Sequence, residues 1–104
     1  MHIVKQKTLT DFWTVHRRSE KPLKRWYKIV AESNYANFND LRKTFPSADL
    51  VDGTWVVFDI GGNKYRLATV IHFNKGRVYI RAVMTHDEYD SADWKTWVGG
   101  QHHG

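Results

Sequence analysis

Cysteine is absent from this 104-residue chain, so disulfides, a thiol nucleophile and a thiolate zinc site are all excluded. That absence fits a reducing compartment, and a cytoplasmic location is expected. The apolar runs are too short to cross a bilayer and no signal-peptide pattern opens the chain, so the expectation is a soluble protein without a membrane partner. Internal repeats, linkers and low-complexity stretches are missing too, and a single domain over residues 1–104 is expected. Acidic residues are the minority: 11 Asp and Glu face 16 Lys and Arg, a net charge of +5. The imbalance is local. Residues 1–47 carry ten Lys/Arg and four Asp/Glu, for +6, while residues 48–104 carry six and seven, for −1. Such asymmetry points to an anionic partner, either nucleic acid or an acidic protein surface. A solvated face that only maintains solubility carries the same charges.

What is present is a hydrophobic content of 41% with 14% aromatic residues, enough for a core. His2-Ile3-Val4 reads as a first strand. Thr8 is placed to cap a helix with Asp11 in its first turn, and Leu9, Phe12, Trp13 and His16 form one stripe. Ser19 to Pro22 opens a second helix, since Pro is accepted in a first turn. Leu23, Trp26, Tyr27 and Val30 repeat the apolar spacing, while Lys21, Lys24, Arg25 and Lys28 cover the opposite face. The short gap predicts a helical hairpin packed on a sheet. Asn39-Asp40 is read as the cap of a short helix through Leu41 to Thr44, with Arg42 and Lys43 on it and Pro46 after it.

A run of strands follows. Leu50-Val51 closes on Trp55-Val56 through Asp52-Gly53, a hairpin signal. Trp55 to Ile60 leads into Gly61-Gly62-Asn63, a tight turn. Lys64 to Phe73 then alternates, with Tyr65, Leu67, Thr69, Ile71 and Phe73 on one face and Lys64, Arg66, Ala68, Val70 and His72 on the other. After Asn74-Lys75-Gly76, a last strand puts Val78, Ile80, Ala82 and Met84 on one face, opposite Arg77, Tyr79 and Arg81. Thr85-His86-Asp87-Glu88 fits a capping box. His86 is then the first helical residue, where the helix dipole favours a neutral imidazole able to take a proton. Tyr89 follows on the same side of the turn. Trp94 and Trp97 are possible anchors, and residues 99–104 are expected to fray. The fold class is α+β: an N-terminal helical hairpin packed on a mostly antiparallel β-sheet, with a short C-terminal helix.

Gly61-Gly62-Asn63-Lys64-Tyr65-Arg66, together with the run from Tyr79 to Asp90 (Y-I-R-A-V-M-T-H-D-E-Y-D), resembles HigB-type toxins of bacterial toxin–antitoxin pairs. Met1 to Val4 and Lys43 to Ser47 fit the same family, so the likeness covers most of the chain. These toxins belong to the RelE superfamily of small α+β ribonucleases. The resemblance implies a ribosome-dependent mRNA endonuclease, neutralised by a HigA-type antitoxin carrying a helix-turn-helix domain. It further implies that Arg66 contacts the scissile phosphate, that Arg81 is a second cation, and that His86 and Tyr89 stand where relatives place a His, a Tyr or both. Lys64 is carried as a candidate base. The His that some relatives have earlier in the sheet has no counterpart here.

RNA cleavage without a metal needs a base for the 2′-OH, cations for the developing phosphorane charge and an acid for the 5′-oxygen. His86 is the candidate for proton transfer, Arg66 and Arg81 for charge stabilisation, and Tyr89 and Lys64 for support. Lys21, Lys24, Arg25, Lys28, Arg42 and Lys43 are the expected RNA- or ribosome-binding set. The His residues show no ligand spacing, and no metal or other cofactor is expected. His72 lies far from Arg66 along the strand and is left out of the centre. The same residues also fit a non-catalytic RNA-binding module or an interface for an acidic protein.

Overall fold

Four consecutive strands, β2 (Asp49–Val51), β3 (Trp55–Ile60), β4 (Tyr65–His72) and β5 (Arg77–Thr85), pair in chain order because each link between them is short. In this computed structural model, which describes residues 1–91 and 94–96, the tightest constraint lies between β3 and β4. Ile60 pairs with Tyr65, so the chain must reverse within the intervening residues. Gly61 and Gly62 do so at φ of 63° and 70°, a region that side chains with a Cβ rarely adopt. β1 (His2–Val4) joins the other edge parallel to β5. The sheet order is β1-β5-β4-β3-β2, a mostly antiparallel sheet in an α+β fold, as expected.

Among the described residues, helices α1 (Lys7–Val15), α2 (Glu20–Ala31) and α3 (Phe38–Thr44) precede β2, and α4 (His86–Asp90) follows β5 directly. A 3-10 turn, Arg17–Ser19, fills the short gap between α1 and α2, a detail the expected helical hairpin did not include. Leu9, Leu23, Trp26, Val30 and Leu41 meet Phe58, Ile60, Leu67, Val78 and Ile80 in the main core. The opposite sheet face is covered by a second cluster, in which Trp94 packs with Val57, Ala68, Ala82 and Met84. Two caps differ from those expected. α1 begins at Lys7 without a side-chain cap, so Thr8 lies inside it. α3 is capped by Asn37, whose side chain accepts from the Asp40 amide, so the cap falls two residues before Asn39.

β5 departs from the expected alternation. Ala68 pairs with Ala82 but Thr69 pairs with Ile80, leaving Arg81 as the extra residue of a β-bulge. The bulge swaps the faces of everything beyond it. Val78 and Ile80 point into the helix-side core, whereas Ala82 and Met84 point into the cluster beneath Trp94. The four do not share a face.

Candidate active site

Thr85 and Glu88 form the expected capping box: the Thr85 hydroxyl accepts from the Glu88 amide at 3.2 Å, and Glu88 Oε1 accepts from the Thr85 amide at 2.8 Å. The His86 amide donates to the Lys64 carbonyl at 3.0 Å. His86 is thereby fixed at the junction of β5 and α4, directly beside the turn that precedes β4.

Arg66 occupies the space between that turn and α4. The alternation of β4 puts it on the face away from the main core, where alternation alone would leave a side chain in solvent. It is instead only 8% exposed, because α4 and Trp94 return over this face. Each of its nitrogens is engaged. Nε faces Asp59 Oδ1 at 3.2 Å, and Nη1 donates to the Asn63 and Tyr65 carbonyls at 3.3 and 3.2 Å. Nη2 donates to Asn63 Oδ1 at 2.5 Å and lies 3.2 Å from His86 Nδ1. The guanidinium also stacks over Tyr89, 5.5 Å from the ring centroid.

A guanidinium only donates, so Nδ1 of His86 must be the acceptor of that contact. The proton of the neutral ring then sits on Nε2, which lies 3.0 Å from Asp90 Oδ2. Arg66 thus selects a tautomer, and Asp90 faces the proton. Tyr89 is flanked on one side by Arg66 and stacks on Trp94 at 5.4 Å. Burial pushes its phenol above the usual tyrosine range, helped by the charge of Asp49 and opposed by Arg66. The hydroxyl therefore holds its proton and is available as a hydrogen-bond donor.

The structure brings together three of the residues the sequence singles out, Arg66, His86 and Tyr89. Lys64 takes part through its carbonyl, and its side chain is exposed in the turn. Arg81 sits at the bulge, three residues before the Met84 that faces Arg66. Its guanidinium packs over Tyr79, 5.8 Å from that ring centroid. Sequence reasoning missed Asp59, Asn63 and Asp90. Asp90 was detectable in principle, since it stands one helical turn after His86. Asn63 was read only for its turn propensity. Among the described residues, no group of three His, Cys or carboxylate side chains gathers as a metal site would need; His102 and His103 lie outside them.

The basic set lies on the surface. Lys21, Lys24, Arg25 and Lys28 are exposed along α2, and Arg42 and Lys43 along α3. Some are already paired: Lys24 with Glu20 at 2.7 Å, which holds that carboxyl below its usual range, and Arg42 with the Pro46 carbonyl at 2.9 Å. A groove of about 220 Å³, lined by Arg25, Trp26, Asp59 and Gly61 among others, runs from this helix to the turn beside Arg66. No helix among the described residues is long and apolar enough to cross a membrane.

A sequence profile described as the HigB toxin, RelE-like toxic component of a toxin–antitoxin system, matches residues 19–92. The chain is 33% identical over 93 residues to the mRNA interferase toxin HigB of Escherichia coli strain K12, covering 86% of this chain and 88% of that protein. The mRNA interferase HigB of Shigella flexneri matches to the same extent. A further mRNA interferase HigB, from Escherichia coli O6:H1, is 26% identical over 92 residues, or 86% and 89% of the two chains. The profile includes the Gly61–Arg66 turn and the whole Thr85–Asp90 segment, which carry Arg66, His86 and Tyr89. This chain therefore belongs to the HigB toxin family, the RelE-like toxic components of toxin–antitoxin systems.

Proposed function

We propose that this toxin is an endoribonuclease that cleaves messenger RNA on the ribosome, with His86 as the group that moves protons. The observation that carries the reading is the contact between Arg66 and His86. A cation for phosphate stands there beside an imidazole of defined tautomer, at one end of the sheet and open to solvent on the His86 side. The 2′-oxygen attacks phosphorus as its proton passes to a base, the P–O5′ bond breaks, and O5′ takes a proton from an acid. The products are a 2′,3′-cyclic phosphate and a 5′-hydroxyl. Arg66 offsets the charge that develops on the phosphorane oxygens, and Tyr89, with its phenol held protonated, supplies a hydrogen bond or a proton.

No step in this scheme calls on a metal. Arg81 and Lys64 supply outlying positive charge along the RNA path, and the exposed cations of α2 and α3 hold ribosomal or messenger RNA by its backbone. A helix-turn-helix antitoxin of the HigA type is the partner that silences the activity. End analysis of the cleaved RNA tests the reading: cyclic phosphate and 5′-hydroxyl ends, formed equally with and without a chelator that leaves ribosomes intact, are expected. Intact RNA beside ribosome-bound toxin would make the chain a binding module, and chelator-sensitive cleavage would overturn the chemistry.

A further inference from the structure

Arg66 has no nitrogen free in this structure, yet a phosphate-binding Arg must offer one. Of its partners, most cannot leave. The Asn63 and Tyr65 carbonyls belong to the backbone of the turn and strand, the Asp59 carboxylate is bound to Nε by an ion pair, and the His86 ring is held between Nη2 and Asp90. The exception is the Asn63 side chain. Asn63 is exposed at the end of the Gly-Gly turn, and its Oδ1 accepts from Nη2, the same nitrogen that contacts His86. A phosphate oxygen is an acceptor like that amide oxygen but carries charge, so its bond to a guanidinium is stronger.

We infer that the Asn63 carboxamide occupies the seat of the scissile phosphate and must be displaced by it, making Asn63 a gate on Arg66. The inference rests on the nuclease reading for the identity of the phosphate, but the seat itself does not. Displacement leaves both Nη1 bonds and the Asp59 contact in place, so Arg66 keeps its position while one N–H turns to the ligand. The incoming phosphate then shares a nitrogen with His86 Nδ1. It arrives next to the group that has to exchange protons with it.

The gate predicts opposite effects for two small substitutions. Asn63→Ala removes the competitor and retains the backbone carbonyl that Nη1 uses. Asn63→Asp keeps the shape and replaces a neutral acceptor with a carboxylate, which competes far better. The direct test is titration of the full chain with inorganic phosphate, followed by the side-chain Nε–H signal of Arg66 in nuclear magnetic resonance. Apparent affinity should rise by roughly threefold to tenfold in Asn63→Ala and fall by about tenfold in Asn63→Asp. Cleavage should follow the same order in KM. Equal phosphate affinity in the parent and Asn63→Asp would overturn the gate, as would weaker binding by a folded Asn63→Ala. If the phosphate order holds and no variant cleaves RNA, the gate stands and the nuclease reading fails.

Discussion

A buried guanidinium that touches a carboxylate, an imidazole nitrogen and an aromatic face cannot be exchanged for a neutral side chain without structural consequence. Arg66→Ala strands Asp59 and removes the donor that fixes His86. Loss of such hydrogen bonds costs about 1–3 kcal/mol, and a urea titration should show it as a lower midpoint at unchanged slope. Arg66→Lys retains the charge but cannot reach Asp59, Asn63 and His86 together. It should recover part of the stability and still reduce the cleavage rate by ~10²–10³. Tyr89 makes a separate claim about pH. Its phenol is raised above the ordinary value chiefly by burial, so the native state keeps a proton that the unfolded chain releases near pH ~10. That contribution to stability is complete below this pH and is lost as pH rises through the higher native value. Unfolding midpoints of the parent should therefore fall more steeply above about pH 10 than those of Tyr89→Phe. Parallel curves would mean that the phenol is not shifted.

At the scale of elements, the five residues of α4 matter because His86 is the first of them. Thr85→Ala removes the cap and should cost about 1 kcal/mol. It should also lower kcat, since the imidazole loses its fixed approach to Arg66, whereas a cap elsewhere, such as Asn37→Ala, should reduce stability alone. The capping box was legible in the sequence because every bond in it lies within one helical turn. So was the reversal at Gly61 and Gly62, where only residues tolerant of positive φ serve. The bulge at Arg81 was not. It carries no glycine, and an alternating strand reads the same until its partner's register is known. Arg66 shows the same limit. Its burial depends on α4 and Trp94, which lie far along the chain and return over the sheet, so local alternation assigns it to solvent. The α3 cap was missed for a different reason: several Asn and Asp residues stand together between Asn34 and Asp40, and the one that caps is selected by where the chain enters the helix.

Across the whole molecule, the exposed cations are separated from the proposed catalytic cluster. The exposed cations of α2 stand on one element, and the Arg66 cluster stands at the start of β4 and the end of β5, with the groove along Arg25, Asp59 and Gly61 reaching from α2 to the turn before β4. Binding and cleavage should therefore be separable by mutation. Neutralising Lys21, Lys24, Arg25 and Lys28 should weaken association with ribosomes and lower the log–log salt slope by about one unit for each phosphate no longer neutralised. The rate of cleavage within the bound complex should be retained. Because Lys24 already pairs with Glu20, its removal should contribute least of the four. An unchanged slope in the quadruple variant would assign this face to another partner, such as the antitoxin.

The most direct test of the account is the single-turnover cleavage rate of His86→Gln on translated mRNA, measured beside its ribosome affinity. Glutamine is accepted in a first helical turn and can still hydrogen-bond to Arg66, but it cannot exchange a proton near neutral pH. The fold, the Thr85–Glu88 box and the affinity should persist, and the rate should fall by roughly 10²–10⁴. A variant that binds ribosomes normally and cleaves at the parental rate would contradict the assignment of proton transfer to His86.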